Sequence, residues 1–202
     1  MKINTIRLRV VLGTLAILLP WIVALLNGGF PPSISATYYV ASCITPFMGI
    51  LIASSILLMC YRGYDLQDDI ILTLSGVFGL MICLFPTYTS LYEKVGTFQI
   101  DVNTSSMIHN ISAILFFVLL SYNSFFLFTK GDGNPTKNKT IRNIIYRVCG
   151  VGMIASFLLL LLPSFYIKIW LVETIALFFF GVSFLTKADV FPFLFCDTPY
   201  KD

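Results

Sequence analysis

The sequence predicts an all-α protein, a polytopic six-helix transmembrane bundle, and three observations carry that reading. Hydrophobic residues make up 57% of the chain and charged residues only 11%, whereas a water-soluble domain carries about a quarter charged residues. The apolar residues gather into six runs, each close to the ~20 residues that cross a bilayer as a helix. Lys and Arg then fall almost entirely on one side of those runs. A net charge of +3 is too small to argue for a nucleic-acid partner; the partner the composition implies is the lipid bilayer.

The runs follow in order. Lys2, Arg7 and Arg9 precede the first span, about residues 8–26. No small-x-small cleavage pattern follows it, so it reads as an uncleaved span rather than a secretory signal. Pro20 inside it is tolerable in lipid when neighbours satisfy the freed carbonyl. The stretch NGGFPPSISATYYVAS is uncharged and rich in Gly and Pro. It reads as a structured turn with Tyr38 and Tyr39 at the interface. The second span, 43–61, carries Gly49 and Ala53 four apart, a spacing that suits close helix packing.

Asp68 and Asp69 open the third span, 70–87, where carboxylates suit the free N–H groups of a helix start. Ser75 and Gly79 repeat the small-residue spacing, and Pro86 closes the span. A polar connection, 91–103, leads to the fourth span, 105–129, which holds the only histidine, His109. The basic loop KGDGNPTKNKTIRN follows. The fifth span is 144–162, closed by Pro163, and the sixth is 169–186. Residues 188–202, broken by Pro192 and Pro199, read as an interfacial cytoplasmic tail.

Counting cations by side orients the chain. With the amino terminus inside, eleven Lys and Arg lie on that side, and only Lys94 and Lys168 lie on the other. The positive-inside rule therefore puts both termini in the cytoplasm of a cell-membrane protein and turns loops 27–42, 88–104 and 163–168 outward. The five cysteines show no CxxC and no metal-ligand spacing, so they read as small packing residues, with Cys43 and Cys83 reduced. No metal or other cofactor is implied, and no Gly-rich phosphate loop, GxSxG or HExxH occurs.

Two ionisable groups fall inside the outer leaflet. His109 and Glu173 each lie four residues into their spans, ~6 Å below the outer helix ends. Such groups face a partner or a wet cavity rather than lipid. Ser105, His109, Ser112 and Asn123 share one helical face, and Ser33, Ser35, Tyr38, Tyr39 and Thr87 lie at the same depth. An outward-facing polar pocket built from His109, Glu173, Ser33, Ser35, Tyr38, Tyr39, Thr87 and Ser112 is one reading. Interhelical hydrogen bonding near the interface is the other.

SISATYY after the first span, RGYD after the second, LFPT at the end of the third and the His109–Ala113 spacing belong to a recognisable pattern. With RNIIYRVCG and WLVETIALFFFGVSFLTK, they resemble a bacterial family of six-span membrane proteins of unknown function, over most of the chain. That resemblance implies six helices and no established activity. A more distant similarity is to the seven-span alkaline-ceramidase-type hydrolases. Those hold zinc with several histidines plus Asp and Ser, and a single histidine cannot supply that set.

Three function classes stay open on the sequence. The first, preferred here, is a protein that binds or handles a lipid or small hydrophobic ligand in the outer pocket. The second is a membrane hydrolase or transferase with His109 as base, oriented by Glu173. The third is a small-solute transporter, against which stand the absence of an internal repeat and the off-centre depth of both groups.

Overall fold

A computed structural model describes residues 5–131, 137–163 and 166–191 of the chain. Six helices form the structure: α1 (Thr5–Asn27), α2 (Ala41–Cys60), α3 (Leu66–Leu84), α4 (Val102–Tyr122), α5 (Lys137–Ala155) and α6 (Lys168–Lys187). A π-helical turn, Asn123–Leu127, prolongs α4, and a 3-10 turn, Ser156–Leu161, prolongs α5. All six are long and apolar enough to cross a membrane. The chain is an all-α six-helix membrane protein, and the expected helix number holds.

Neighbouring helices in sequence pack side by side, and α6 closes against α1, so the six form a ring. Such up-and-down order follows from short connections between antiparallel spans. The mid-height core is aromatic: Phe116 and Phe184 both pack edge-on against Phe180, at 6.3 and 4.8 Å between ring centroids.

Small residues set the closest crossings, and of those the spacing singled out, Gly79 lies at one while Gly49 and Ala53 do not. Gly49 and Ala53 face outward, and nothing approaches Gly49. The α2–α3 seam instead runs through Gly76 and Gly79, where any side chain would collide with Ser55. Between α1 and α6, a Cβ on Gly13 would sit 2.8 Å from the Gly181 carbonyl, and one on Gly181 2.7 Å from that of Gly13. Lipid tails are as apolar as leucine, so helices associate where backbones come this close. Reciprocal contact across separate helices has no single-helix spacing to announce it.

Several boundaries shift for local reasons. The first turn of α3 is capped by Asp65, whose side chain accepts from the Asp68 N–H at 3.1 Å, and not by Asp68 or Asp69. Those two carboxylates reach back instead, to the N–H groups of Tyr64 and Gly63 at 2.8 Å each. Asp101 caps α4 by accepting from the N–H groups of Asn103 and Thr104, which starts that helix at Val102. His109 is consequently seven residues into its helix, ~10 Å from the end, deeper than expected. The connection before α4 carries a small hairpin, Lys94–Val95 paired with Ile100–Asp101, with Gly96 and Gln99 at positive φ in its turn. The described cysteines Cys43, Cys60, Cys83 and Cys149 are all free. Cys196 and most of the expected tail lie outside the described residues.

Candidate functional site

The site begins with the carboxyl end of α3. A helix leaves its last carbonyls without intrahelical partners, and Pro86 worsens this because it offers no N–H to the carbonyl of Ile82 four residues back. Side chains from elsewhere fill the gap. His109 Nδ1 lies 2.8 Å from the Phe85 oxygen and 3.2 Å from that of Ile82. Ser105 Oγ donates to the Pro86 oxygen at 2.8 Å, and Tyr39 Oη to that of Thr87 at 2.6 Å. Carbonyls only accept, so the proton of a neutral His109 ring sits on Nδ1 and Nε2 keeps a lone pair.

Glu173 is held from the opposite wall. Its carboxylate accepts from the Ile34 N–H at 2.5 Å and from Ser35 Oγ at 3.0 Å. Both donors belong to the connection between α1 and α2, which folds into a 3-10 turn, Ser35–Tyr39, started by Ser33 Oγ accepting from the Ala36 N–H. The Ser35 N–H is a third donor to it, so about three of the roughly four lone-pair positions of the carboxylate are filled.

Between these walls lies a cavity of about 460 Å³, to which all six spans contribute. Its polar lining includes Ser33, Ser35, Thr87, His109 and Glu173, all expected from the sequence. The rest is mainly apolar, with Leu19, Phe47, Leu51, Phe116, Phe117 and Leu177 among the walls. His109 and Glu173 face this shared space without bonding each other; the imidazole is oriented by backbone carbonyls, not by Glu173. Tyr38, Tyr39 and Ser112 do not line it. Tyr38 and Tyr39 pack edge-on at 5.1 Å, and Ser112 is buried on the His109 face of α4. Burial first, then the neighbouring Tyr38, pushes the Tyr39 hydroxyl up to about 12.

Ser106, Asn110 and Tyr88 also line the cavity, and sequence reasoning missed them. Ser106 and Asn110 lie one turn apart beside His109, so a second polar stripe was readable at that spacing. Tyr88 offered no signal.

On the half of the seam away from His109, α4 and α5 touch closely, where Ser121 Oγ donates to the Gly150 oxygen at 2.7 Å. Phe117 and Phe157 meet at 5.8 Å above that point. Beyond them the wall consists of Asn110, Ile114 and Leu160, which are also on the outer surface, Ile114 54% and Leu160 44% exposed. Tyr88 and Ile169, which line the cavity elsewhere, are also exposed, at 57% and 52%. No group of three or more His, Cys, Asp or Glu able to hold a metal occurs among the described residues.

No protein-family model, curated protein or solved structure matches the chain.

Proposed function

We propose that this membrane protein binds an amphiphile in the cavity, with its apolar chain against the phenylalanine and leucine walls and its polar head at Glu173, Ser35 and His109. The observation that carries the reading is one space that contains both His109 and Glu173 and is otherwise mainly apolar. Binding sites for small ligands combine mostly apolar walls with a few convergent polar groups in this way. The partly exposed wall of Asn110, Ile114 and Leu160 is the proposed route for a ligand that enters from the bilayer without crossing water. The free lone pair of His109 and the open position on Glu173 accept hydrogen bonds, which favours a head group that donates them, a hydroxyl or an ammonium. The cation asymmetry supports a cytoplasmic position for both termini and an outward position for this cavity. Reporter fusions after Thr97 and after Gly131 are expected to read outside and inside respectively; the reverse pattern rejects the orientation.

Native mass spectrometry and displacement of a fluorescent single-chain amphiphile test the binding reading. Ala113→Trp, which fills the cavity, is expected to abolish uptake, and Glu173→Gln to weaken it about tenfold, the loss expected for one hydrogen bond to a charge. If Glu173→Gln lowers the melting temperature and leaves uptake intact, Glu173 only staples the α1–α2 connection to α6.

A further inference from the structure

About four turns further along the same face from His109, α4 gives way to the π-helical turn that begins with Asn123. Asn123 is 0% exposed, and neither its Nδ2 nor its Oδ1 has a hydrogen-bond partner. Leaving a buried amide unsatisfied costs its full desolvation, and native structures rarely tolerate it without a ligand or water. Asn123 lines a second cavity, of about 150 Å³, at the end of the bundle opposite the first. π-turns inside helices frequently mark functional positions.

The charges around this cavity are unbalanced. Arg9, Lys130 and Lys187 line it against one carboxylate, Asp68. Asp68 is already paired with Lys130 at 2.9 Å. Lys187 Nζ donates only to the Phe128 carbonyl, at 3.1 Å, and lies over the rings of Phe128 and Tyr146. Arg9 donates to Tyr61 Oη at 2.7 Å and to the Lys187 carbonyl at 3.0 Å. Neither cation has a carboxylate within ion-pair distance among the described residues. Ring faces and carbonyls offset part of the cost of drawing such groups away from water, and an anion offsets far more.

We propose that this second cavity is a phosphate-binding site, in which Arg9, Lys187 and the Asn123 amide close on the oxygens of a phosphate or phosphate ester. Arginine supplies planar donors and lysine a compact charge, the pairing that recognises phosphate. The Asn123 Nδ2 adds a fixed donor from the floor. A free phosphate compound and the head group of an anionic lipid present the same chemistry here.

The test uses the full chain in neutral detergent at constant ionic strength. Calorimetric titration with inorganic phosphate reads the free ligand; native mass spectrometry with phosphatidic acid, against diacylglycerol of the same chains, reads the head group. Binding of either phosphate probe, weakened about tenfold or more in Lys187→Met and in Asn123→Leu, is the expected result. Phosphate binding assigns a soluble ligand, and retention of phosphatidic acid alone assigns a lipid. Asn123→Leu removes only an unsatisfied amide and is expected to fold, so it decides the matter should Lys187→Met fail to. The site is rejected if neither probe binds the wild type. It is equally rejected if Asn123→Leu melts higher yet binds phosphate unchanged, since the cavity then holds only water.

Discussion

At the end of the bundle that holds His109 and Glu173, no ion pair occurs among the described residues: Asp101 accepts from the Asn103 and Thr104 N–H groups, and Lys168 Nζ donates to the Leu160 and Leu162 oxygens. Three successive carbonyls after α3 are taken by His109, Ser105 and Tyr39, and Glu173 is met by an amide and a serine. The opposite end is closed by ions. Lys130 joins Asp65 and Asp68, Arg62 joins Asp69, and Arg142 joins Asp189. The difference fits the proposed orientation. The ionic end keeps its cations, which the membrane potential and anionic lipid favour on the cytoplasmic side. The end without ion pairs holds the larger, mainly apolar space, where the proposed amphiphile would lose little solvation on entry.

The change expected to act most strongly abolishes the contrast by disrupting both ends. Gly76→Leu drives a side chain into the Ser55 backbone oxygen, which cannot yield as a side chain would. A loss of about 2 kcal/mol or more is expected, seen as poor recovery of monodisperse protein and failure of both cavities to bind. Asp68→Ala acts on one end only. It leaves the Tyr64 N–H without its acceptor and strips Lys130 of its less exposed partner, at about 2 kcal/mol. Chemical denaturation reads it, and amphiphile uptake at the other end is expected to persist. Ala113→Trp is the converse, because its side chain extends into the cavity that Ala113 lines and not into a packed helix seam. Its stability is expected to stay within about 1 kcal/mol of wild type while uptake is lost.

The smallest effects separate the ends by pH. The Asp65 carboxyl is held below its ordinary value, first by the hydrogen bond from Lys130 and then by the Asp68 N–H. A lowered folded value means stability that is present above the unfolded value, near 4, and lost as pH falls through the folded one. Tyr39, pushed up to about 12, behaves oppositely: its contribution is present below about 10 and lost as pH rises towards the folded value. Melting temperature against pH is expected to flatten on the acid limb in Asp65→Asn and at the onset of the alkaline limb in Tyr39→Phe. An unchanged acid limb in Asp65→Asn would show that the rim ion pairs add nothing measurable.

What the sequence by itself determined was the solvent and the element list. Apolar runs of bilayer length can be satisfied only as helices, so number, order and approximate bounds were readable. The lone His109 and Glu173 were readable as buried polar groups because hydrocarbon makes such groups costly wherever the chain folds. Only the tertiary structure decided what they touch. His109 is held by carbonyls freed at Pro86, Glu173 by the amide of Ile34, and the two share a space without meeting. Partner choice of this kind depends on where another helix ends and how a connection folds. The same holds for the Gly13–Gly181 crossing and for Asn123, whose place on the His109 face was legible. Its gathering with Arg9 and Lys187 was not, because those residues lie at opposite ends of the chain. α1 and α6 become neighbours only when the ring closes, and periodicity within a helix carries no information about that closure.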